Sequence, residues 1–271
     1  MGNEITIMDA HVHIHNCFPL VDFLDNSWRN FRNAAAQESP DLSFAAALML
    51  TESSGTDWFS TFAEMAANAT DIGGKWSLTA AAEPQSIIAR DTDDGELVII
   101  AGRQIVTAER LEILALGMTD SPSDGTPIRD VIQRVQADGA ICVLPWGFGK
   151  WTGKRGQIVA DILAQDHGTN FFLGDNSGRL GLWPDPPEFR HARESDIRIL
   201  PGSDPLPYTS GALSPGRYGA ILSGPLDRDR PFAAIRQMLI DEPEHPKSYG
   251  RLEQLLPFIN NQLRMQLRKL L

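Results

Sequence analysis

Two histidines near the start of the chain alternate with apolar residues, in the segment Asp9-Ala10-His11-Val12-His13. The segment continues a short apolar run that predicts a β-strand. Residues two apart in a strand point to the same side, so His11 and His13 would present their imidazoles to one ion. We interpret the pair as one edge of a metal-binding pocket, with Asp9 as a hydrogen-bond acceptor that orients it. His15 continues the alternation beyond the predicted strand end, where a metal ligand and an ordinary loop histidine both fit the pattern.

A carboxylate late in the chain is the third candidate ligand. Gly202-Ser203-Asp204 ends the penultimate predicted strand, so Asp204 would lie beside or opposite the first strand once a barrel closes. Two imidazoles and a carboxylate bind one divalent ion (zinc, manganese or iron) and leave coordination positions open for hydrolysis. Such an ion acidifies a water molecule and polarises a phosphoryl or carbonyl oxygen. We predict His11, His13 and Asp204 as ligands of one ion or none, and Asp204 and His13 as the catalytic candidates.

A loop that follows a predicted buried strand, residues 146–156, is rich in glycine, aromatic and basic residues. Glycines allow such a loop to move, aromatic rings can cover a substrate, and ammonium or guanidinium groups bind anions. A surface loop that packs its own tryptophans would show the same composition. Polar residues at the end of another predicted strand and an arginine on a later loop complete the substrate-binding candidates. The set is Trp146, Lys150, Asp175, Asn176 and Arg217.

Strands alternate with helices over most of the chain. About seven such units favour an α/β fold with a parallel sheet closed into a distorted, seven-stranded, TIM-barrel-like barrel. Residues 76–118 interrupt the alternation with several short β-type runs and an Asp-Asp-Gly turn, which predicts an inserted β-hairpin region. We expect one domain over residues 1–271 that ends in a helix over 251–271. The structural competitor is a doubly wound open sheet, which would normally begin with a glycine-rich turn.

The opening Asp-x-His-x-His motif and the late Gly-Ser-Asp motif resemble two groups of metal-dependent hydrolases. The PHP family of phosphoesterases is similar over most of the chain, including residues 99–107 and 111–117. That resemblance implies a distorted seven-stranded barrel with two or three metal ions. The amidohydrolase superfamily shares the two end motifs, and residues 170–178 are similar to one of its late strands.

Several positions depart from the PHP pattern. The family's ligand residues are replaced at five places, namely Glu52-Ser53, Gln104, Glu112, Pro145-Trp146 and Leu206. His11, His13 and Asp204 carry over from the family, with Glu52 as a substitute oxygen ligand. A full multinuclear centre is therefore not expected.

Composition argues against several other functions. The net charge of −11 disfavours a nucleic-acid partner, and the longest apolar run, Phe44–Leu50, is far too short to span a bilayer. The N-terminus lacks the pattern of a signal peptide, and two cysteines cannot form a disulfide framework or a cysteine-rich zinc site. We expect a cytoplasmic protein with a small-molecule substrate and no nucleic-acid or membrane partner. The sequence leaves a homo-oligomer open.

Three functions remain open at this point. The first is a metal-dependent hydrolase of the PHP type that acts on a small phosphorylated metabolite. The second is an amidohydrolase-type hydrolase of an amide or ester. The third is a catalytically degenerate barrel that serves as a small-molecule binding protein, since so many family ligand positions are replaced.

Overall fold

The strands of the protein assemble into two β-sheets in a computed structural model, which describes residues 4–40, 43–241, 245–255, 258 and 261. The strands are β1 (Ile5–Val12), β2 (Phe44–Leu50), β3 (Ser77–Ala80), β4 (Ser86–Arg90), β5 (Glu96–Ile100), β6 (Gly102–Val106), β7 (Glu112–Leu116), β8 (Ile141–Pro145), β9 (Phe171–Asn176), β10 (Arg198–Gly202), β11 (Tyr218–Ser223) and β12 (Lys247–Gly250). The α-helices bounded within these residues are α1 (Leu20–Glu38), α2 (Trp58–Ala67), α3 (Ile128–Ala137), α4 (Gly153–Leu163), α5 (Pro187–Glu194) and α6 (Pro231–Asp241).

Both sheets mix parallel and antiparallel strands: the first has a parallel centre with antiparallel borders, and the second is parallel from the β10 edge to β8 and antiparallel from β8 to the β6 edge. Seven strands form the first sheet, in the order β12-β11-β1-β2-β5-β4-β3, and five form the second, in the order β10-β9-β8-β7-β6. The parallel strands are β1, β2 and β5 in the first sheet and β8, β9 and β10 in the second. β11 pairs antiparallel with β1, and β7 pairs antiparallel with β8.

The predicted TIM-barrel-like fold is wrong. Over the residues that the structure describes, the strands form two hydrogen-bonded sheets rather than one closed barrel. The reason lies in residues 76–118, whose β-character was predicted correctly but whose role was not. The chain leaves the first sheet after β5 and enters the second at β6, with only Ala101 between them. Strands β3 and β4 therefore border the first sheet and β6 and β7 border the second, instead of elaborating one strand of a barrel.

The apolar core is arranged in layers because alternate residues of a strand face opposite sides of a sheet. The inner faces of the two sheets pack together through side chains such as Met8 and Val98 from the first sheet and Val143 and Phe172 from the second. Helices α1 and α2 cover the outer face of the first sheet. Helices α3, α4 and α5 cover the outer face of the second. Each fully buried large side chain in these layers contributes about 1.5–3 kcal/mol of transfer free energy.

The end of the described chain runs along the second sheet's loops. The backbone N–H of Glu253 donates to the carbonyl oxygens of Ser177, at 2.8 Å, and Arg179, at 3.0 Å. The helix predicted over 251–271 falls mostly on residues outside the described set. Among the helices that the structure describes, none has both the length and the apolar character needed to cross a bilayer.

Candidate metal centre

His11 and His13 lie at the carboxyl end of β1, as their alternation predicts. His11 belongs to the strand and His13 follows it directly, and both side chains are buried. Their Nε2 atoms are 3.1 Å apart. The two ring nitrogens therefore lie close enough together to bind one shared ion through their lone pairs.

Asp204 reaches the same point from the second sheet. It follows β10, and its backbone N–H donates to the carbonyl oxygen of His11 at 2.8 Å. Its Oδ1 lies 3.6 Å from the Nε2 of His11 and 3.6 Å from the Nε2 of His13. Gly202 allows this close approach, because a Cβ there would lie only 2.4 Å from the backbone N of His11.

The donor set fits a single divalent ion. Ligands placed tetrahedrally about 2.0–2.1 Å from one zinc ion lie about 3.3–3.4 Å from one another. The three separations in the structure, 3.1, 3.6 and 3.6 Å, bracket that value. Among the described residues, His11, His13 and Asp204 are the one group of three such side chains whose donor atoms converge. The structure thus brings together the three ligands predicted from the sequence.

Asp9 has a different role from the predicted one. Its carboxylate is fully buried and accepts three backbone N–H groups, from His11 at 3.2 Å and from Ser203 and Gly216 at 2.8 Å each. Asp9 therefore ties the end of β1 to the segment after β10 and to the turn before β11, rather than orienting an imidazole ring. Burial raises the pKa of Asp9 to about 6 despite these three donors.

The protonation states of the cluster favour a metal ligand set. Burial, followed by the neighbouring His11, lowers the pKa of His13 to about 3, so this imidazole is neutral at physiological pH. Burial acts to raise the pKa of Asp204, but the adjacent His11 and His13 outweigh it and the pKa is lowered. A neutral imidazole and an ionised carboxylate are the forms that bind a divalent cation.

The cluster opens into a cleft of about 480 Å³. His11, Ser203 and Asp204 form part of its lining, and the Asp204 side chain is 30% exposed. A cavity of this size accommodates a small metabolite. Charged, polar and apolar side chains form the rest of the lining, among them Glu112, Trp146, Phe148, Lys150, Asn176, Leu206, Leu213, Arg217, Glu253 and Phe258.

Comparison with known proteins adds evidence on the fold. No protein-family model matches the chain, and no curated protein matches it. The crystal structure of PsfC from Pseudomonas syringae PB-5123 aligns with 98% of this chain and 100% of the PsfC chain, at a TM-score of 0.57 and 16% sequence identity. At that identity the likeness concerns the fold alone.

Four of the five predicted substrate-binding residues line the cleft, and the two charged ones, Arg217 and Lys150, reach it from different sheets. β11 runs antiparallel to β1, so Arg217, just before β11, lies near the carboxyl end of β1. Lys150, on the loop after β8, forms an ion pair with Glu112, which starts the antiparallel strand β7. The sequence predicted no role for Glu112, although the PHP resemblance places a family ligand near this position; the antiparallel pairing of β7 with β8 brings it to the cleft.

Asn176 and Asp175 face opposite sides of β9, so only one of them can reach the cleft. Asn176 lines it, and its side-chain amide donates to the carbonyl oxygen of Trp146 at 2.9 Å. Asp175 instead receives two hydrogen bonds from Arg179 and one from Tyr218, each at 2.9 Å, in a buried network. Asp175 therefore has a structural role in a buried network beneath the cleft wall, and not the predicted contact with substrate.

Glu52 does not join the metal cluster either. Its buried carboxylate accepts the backbone N–H of Trp58 at the start of α2 and lies 3.5 Å from Nη1 of Arg103. Burial raises the pKa of Glu52 above its ordinary value. The Glu52 carboxylate thus contacts the start of α2 and the Arg103 guanidinium instead of the two histidines. The structure does not place it among the candidate metal ligands. The Gln104 side chain acts to raise the pKa of His13 and so lies beside the cluster.

Proposed function

We propose that the protein is a metal-dependent hydrolase of a small anionic substrate, with a phosphate monoester as the favoured class. The observation that carries the proposal is the convergence of His11, His13 and Asp204 on one point at the base of a cleft. A divalent ion held there supplies a Lewis acid that polarises a phosphoryl oxygen and acidifies a water molecule. In the reaction, water adds to phosphorus, the ester P–O bond breaks, and the alcohol leaves with a proton.

The charged residues of the cleft favour an anionic substrate over a neutral amide. Lys150 and Arg217 carry positive charge, while Asp204, Glu112 and Glu253 carry negative charge. A divalent ion turns the net charge of this set from negative to positive, and an anion then binds favourably. Lys150 binds the phosphoryl oxygens through its ammonium group, and its ion pair with Glu112 holds that group in place.

The roles of the cluster residues follow from their exposure and protonation. His13 is buried and does not line the cleft, so we assign it a ligand role rather than a proton-transfer role. Asp204 is the candidate base, because its carboxylate is ionised and open to the cleft. Of the positions at which the PHP resemblance expects further ligands, Trp146 and Leu206 line the cleft but carry no metal-binding group, and Glu112 lines it with a carboxylate that is paired with Lys150.

The experiment begins with the metal alone. Calorimetric titration of the metal-free protein with Zn²⁺ or Mn²⁺ is expected to give one equivalent of binding. His13→Gln should remove that binding, whereas His191→Gln, which changes an exposed histidine on α5, should leave it unchanged. Equal binding by the wild type and His13→Gln would refute the metal site.

Activity is the second stage. The metal-loaded wild type is then screened with phosphate monoesters, and with carboxylic esters and amides as neutral comparators. Release of inorganic phosphate that depends on the metal and on Asp204 supports the proposal. Hydrolysis of amides instead would favour the amidohydrolase alternative. Stoichiometric metal binding without any hydrolysis would refute the enzyme and favour a small-molecule binding protein.

A further inference from the structure

One turn in the cleft wall carries both a cation and an exposed aromatic ring. Residues 147–150 form a tight turn that is closed by the N–H of Lys150, which donates to the carbonyl oxygen of Gly147 at 2.9 Å. Gly149, at φ +69°, provides the left-handed backbone conformation that the turn needs. Phe148 and Lys150 both line the cleft as a result, although they are only two residues apart.

Phe148 belongs to a cluster of three aromatic rings. Its ring stacks on Trp183 at 5.4 Å between centroids, and Phe258 meets the two rings edge-on at 5.7 and 5.1 Å. The rings therefore support one another before any ligand arrives, so a ligand would not bear the entropy cost of ordering them. Phe148 nevertheless remains 56% exposed, which is high for a phenylalanine held in a cluster.

The apolar surface continues along the cleft. Leu206, Leu213 and Phe258 also line it, and Leu213 is largely exposed. An apolar area of this kind, next to charged groups in one cavity, is typical of a binding site for a ligand with two chemically different parts. The apolar part of such a ligand removes Phe148 from water while its anionic part contacts Lys150.

We infer that the cleft binds an anion that carries a flat apolar group directly beside its anionic group, as in an aryl phosphate. Lys150 and the metal ion contact the anionic group, and Phe148 contacts the flat group. The inference rests on the proposed function and specifies its substrate class. It gives Phe148 the role of a specificity-determining residue.

The test compares three ligands of similar charge on the Zn²⁺-loaded protein, by calorimetric titration. Inorganic phosphate has no organic group, methyl phosphate has a minimal one, and phenyl phosphate has a flat ring. Phenyl phosphate is expected to bind about ten-fold more tightly than methyl phosphate, because one aromatic contact contributes binding free energy of about that size. Phe148→Ala should abolish this preference while leaving the affinity for inorganic phosphate unchanged, and Phe148→Tyr should retain the preference.

Two further variants complete the design. Leu182→Ala removes a more exposed apolar side chain that does not line the cleft, so it should keep the preference for the phenyl group. Lys150→Met should reduce the affinity for all three ligands by a similar factor. Equal affinity for phenyl and methyl phosphate, or a preference that survives Phe148→Ala, would overturn the inference while leaving the proposed function intact. Failure of all three ligands to bind the metal-loaded protein would overturn the phosphate-ester function and this inference with it.

Discussion

Substitution of Gly202 by alanine tests whether the contact between the two sheets builds the metal centre. Gly202 ends β10 and lies against the first histidine of the cluster. A Cβ at this position would lie 2.4 Å from both the Cβ and the backbone N of His11. These are atoms of a strand backbone and its first side-chain carbon, so they cannot rotate away as the end of a flexible side chain can.

The size of the effect follows from that distance. Ordinary van der Waals contact begins at 3.4 Å, so the strand ends must separate by about 1 Å. Overpacking of this kind costs about 1–3 kcal/mol of unfolding free energy, which lowers the Tm by roughly 2–12 °C in a protein of this size. The same displacement moves the Asp204 carboxylate away from the imidazoles, beyond the roughly 0.2 Å tolerance of a metal site. We expect Gly202→Ala to reduce Zn²⁺ affinity by at least about ten-fold, which is about 1.4 kcal/mol.

The assay combines thermal unfolding with Zn²⁺ titration of the folded variant. Gly181→Ala is the matched control, because its Cβ would lie 3.4 Å from the Cβ of Leu252, an ordinary contact. This control should retain both the Tm and the Zn²⁺ affinity of the wild type. A Gly202→Ala protein with unchanged Zn²⁺ affinity would show that the approach of β10 to β1 does not position the third ligand, and the reasoning would fail.

Three further substitutions test buried polar groups. Asp9→Asn places an amide N–H₂ where a carboxylate accepts backbone donors such as the N–H of Gly216. Urea denaturation should therefore show a loss of about 1–3 kcal/mol in the free energy of unfolding. A variant with the wild-type midpoint would contradict the described hydrogen bonds. Asp175→Asn leaves the buried Arg179 guanidinium without its full partner and should cost about 3 kcal/mol by the same measurement, whereas a loss typical of a surface substitution would argue against the ion pair. Burial, followed by nearby guanidinium groups, lowers the pKa of His245, so its contribution to stability is present above about pH 6.5 and is lost as the pH falls below that value. The Tm of His245→Gln should therefore decline less steeply than that of the wild type below about pH 6.5, and parallel curves would exclude this contribution.

The convergence of His11, His13 and Asp204 was predictable because each part of it depends on a local pattern. The two-residue spacing of His11 and His13 determines that both face one side of a strand, whichever sheet that strand joins. Asp204 follows an apolar run that ends in Gly-Ser, and the end of a parallel strand is where functional side chains collect in α/β proteins. These inferences hold for two packed sheets as well as for a barrel.

The architecture was not predictable from such patterns, since the partner of each strand depends on residues far along the chain. The β-type runs on either side of Ala101 give no local sign that one joins the first sheet and the next joins the second. Glu112 was named only as a position near which the PHP family has a ligand, and its place at the cleft depends on the antiparallel pairing of β7, which puts the start of that strand there. Asp175 was misassigned by a single position, since Asn176 is the neighbour that faces the cleft.

The contact that joins Asp204 to the histidines also makes the complete cluster depend on parts of the chain that are far apart in sequence. The backbone N–H of Ser203 and the Asp9 carboxylate, which meet beside the cluster, are 194 positions apart in the chain. A newly made or refolding chain can therefore offer an ion only the two imidazoles until the second sheet docks on the first. Tight zinc capture should accompany that final docking step, and in a refolding experiment it should lag behind the recovery of secondary structure.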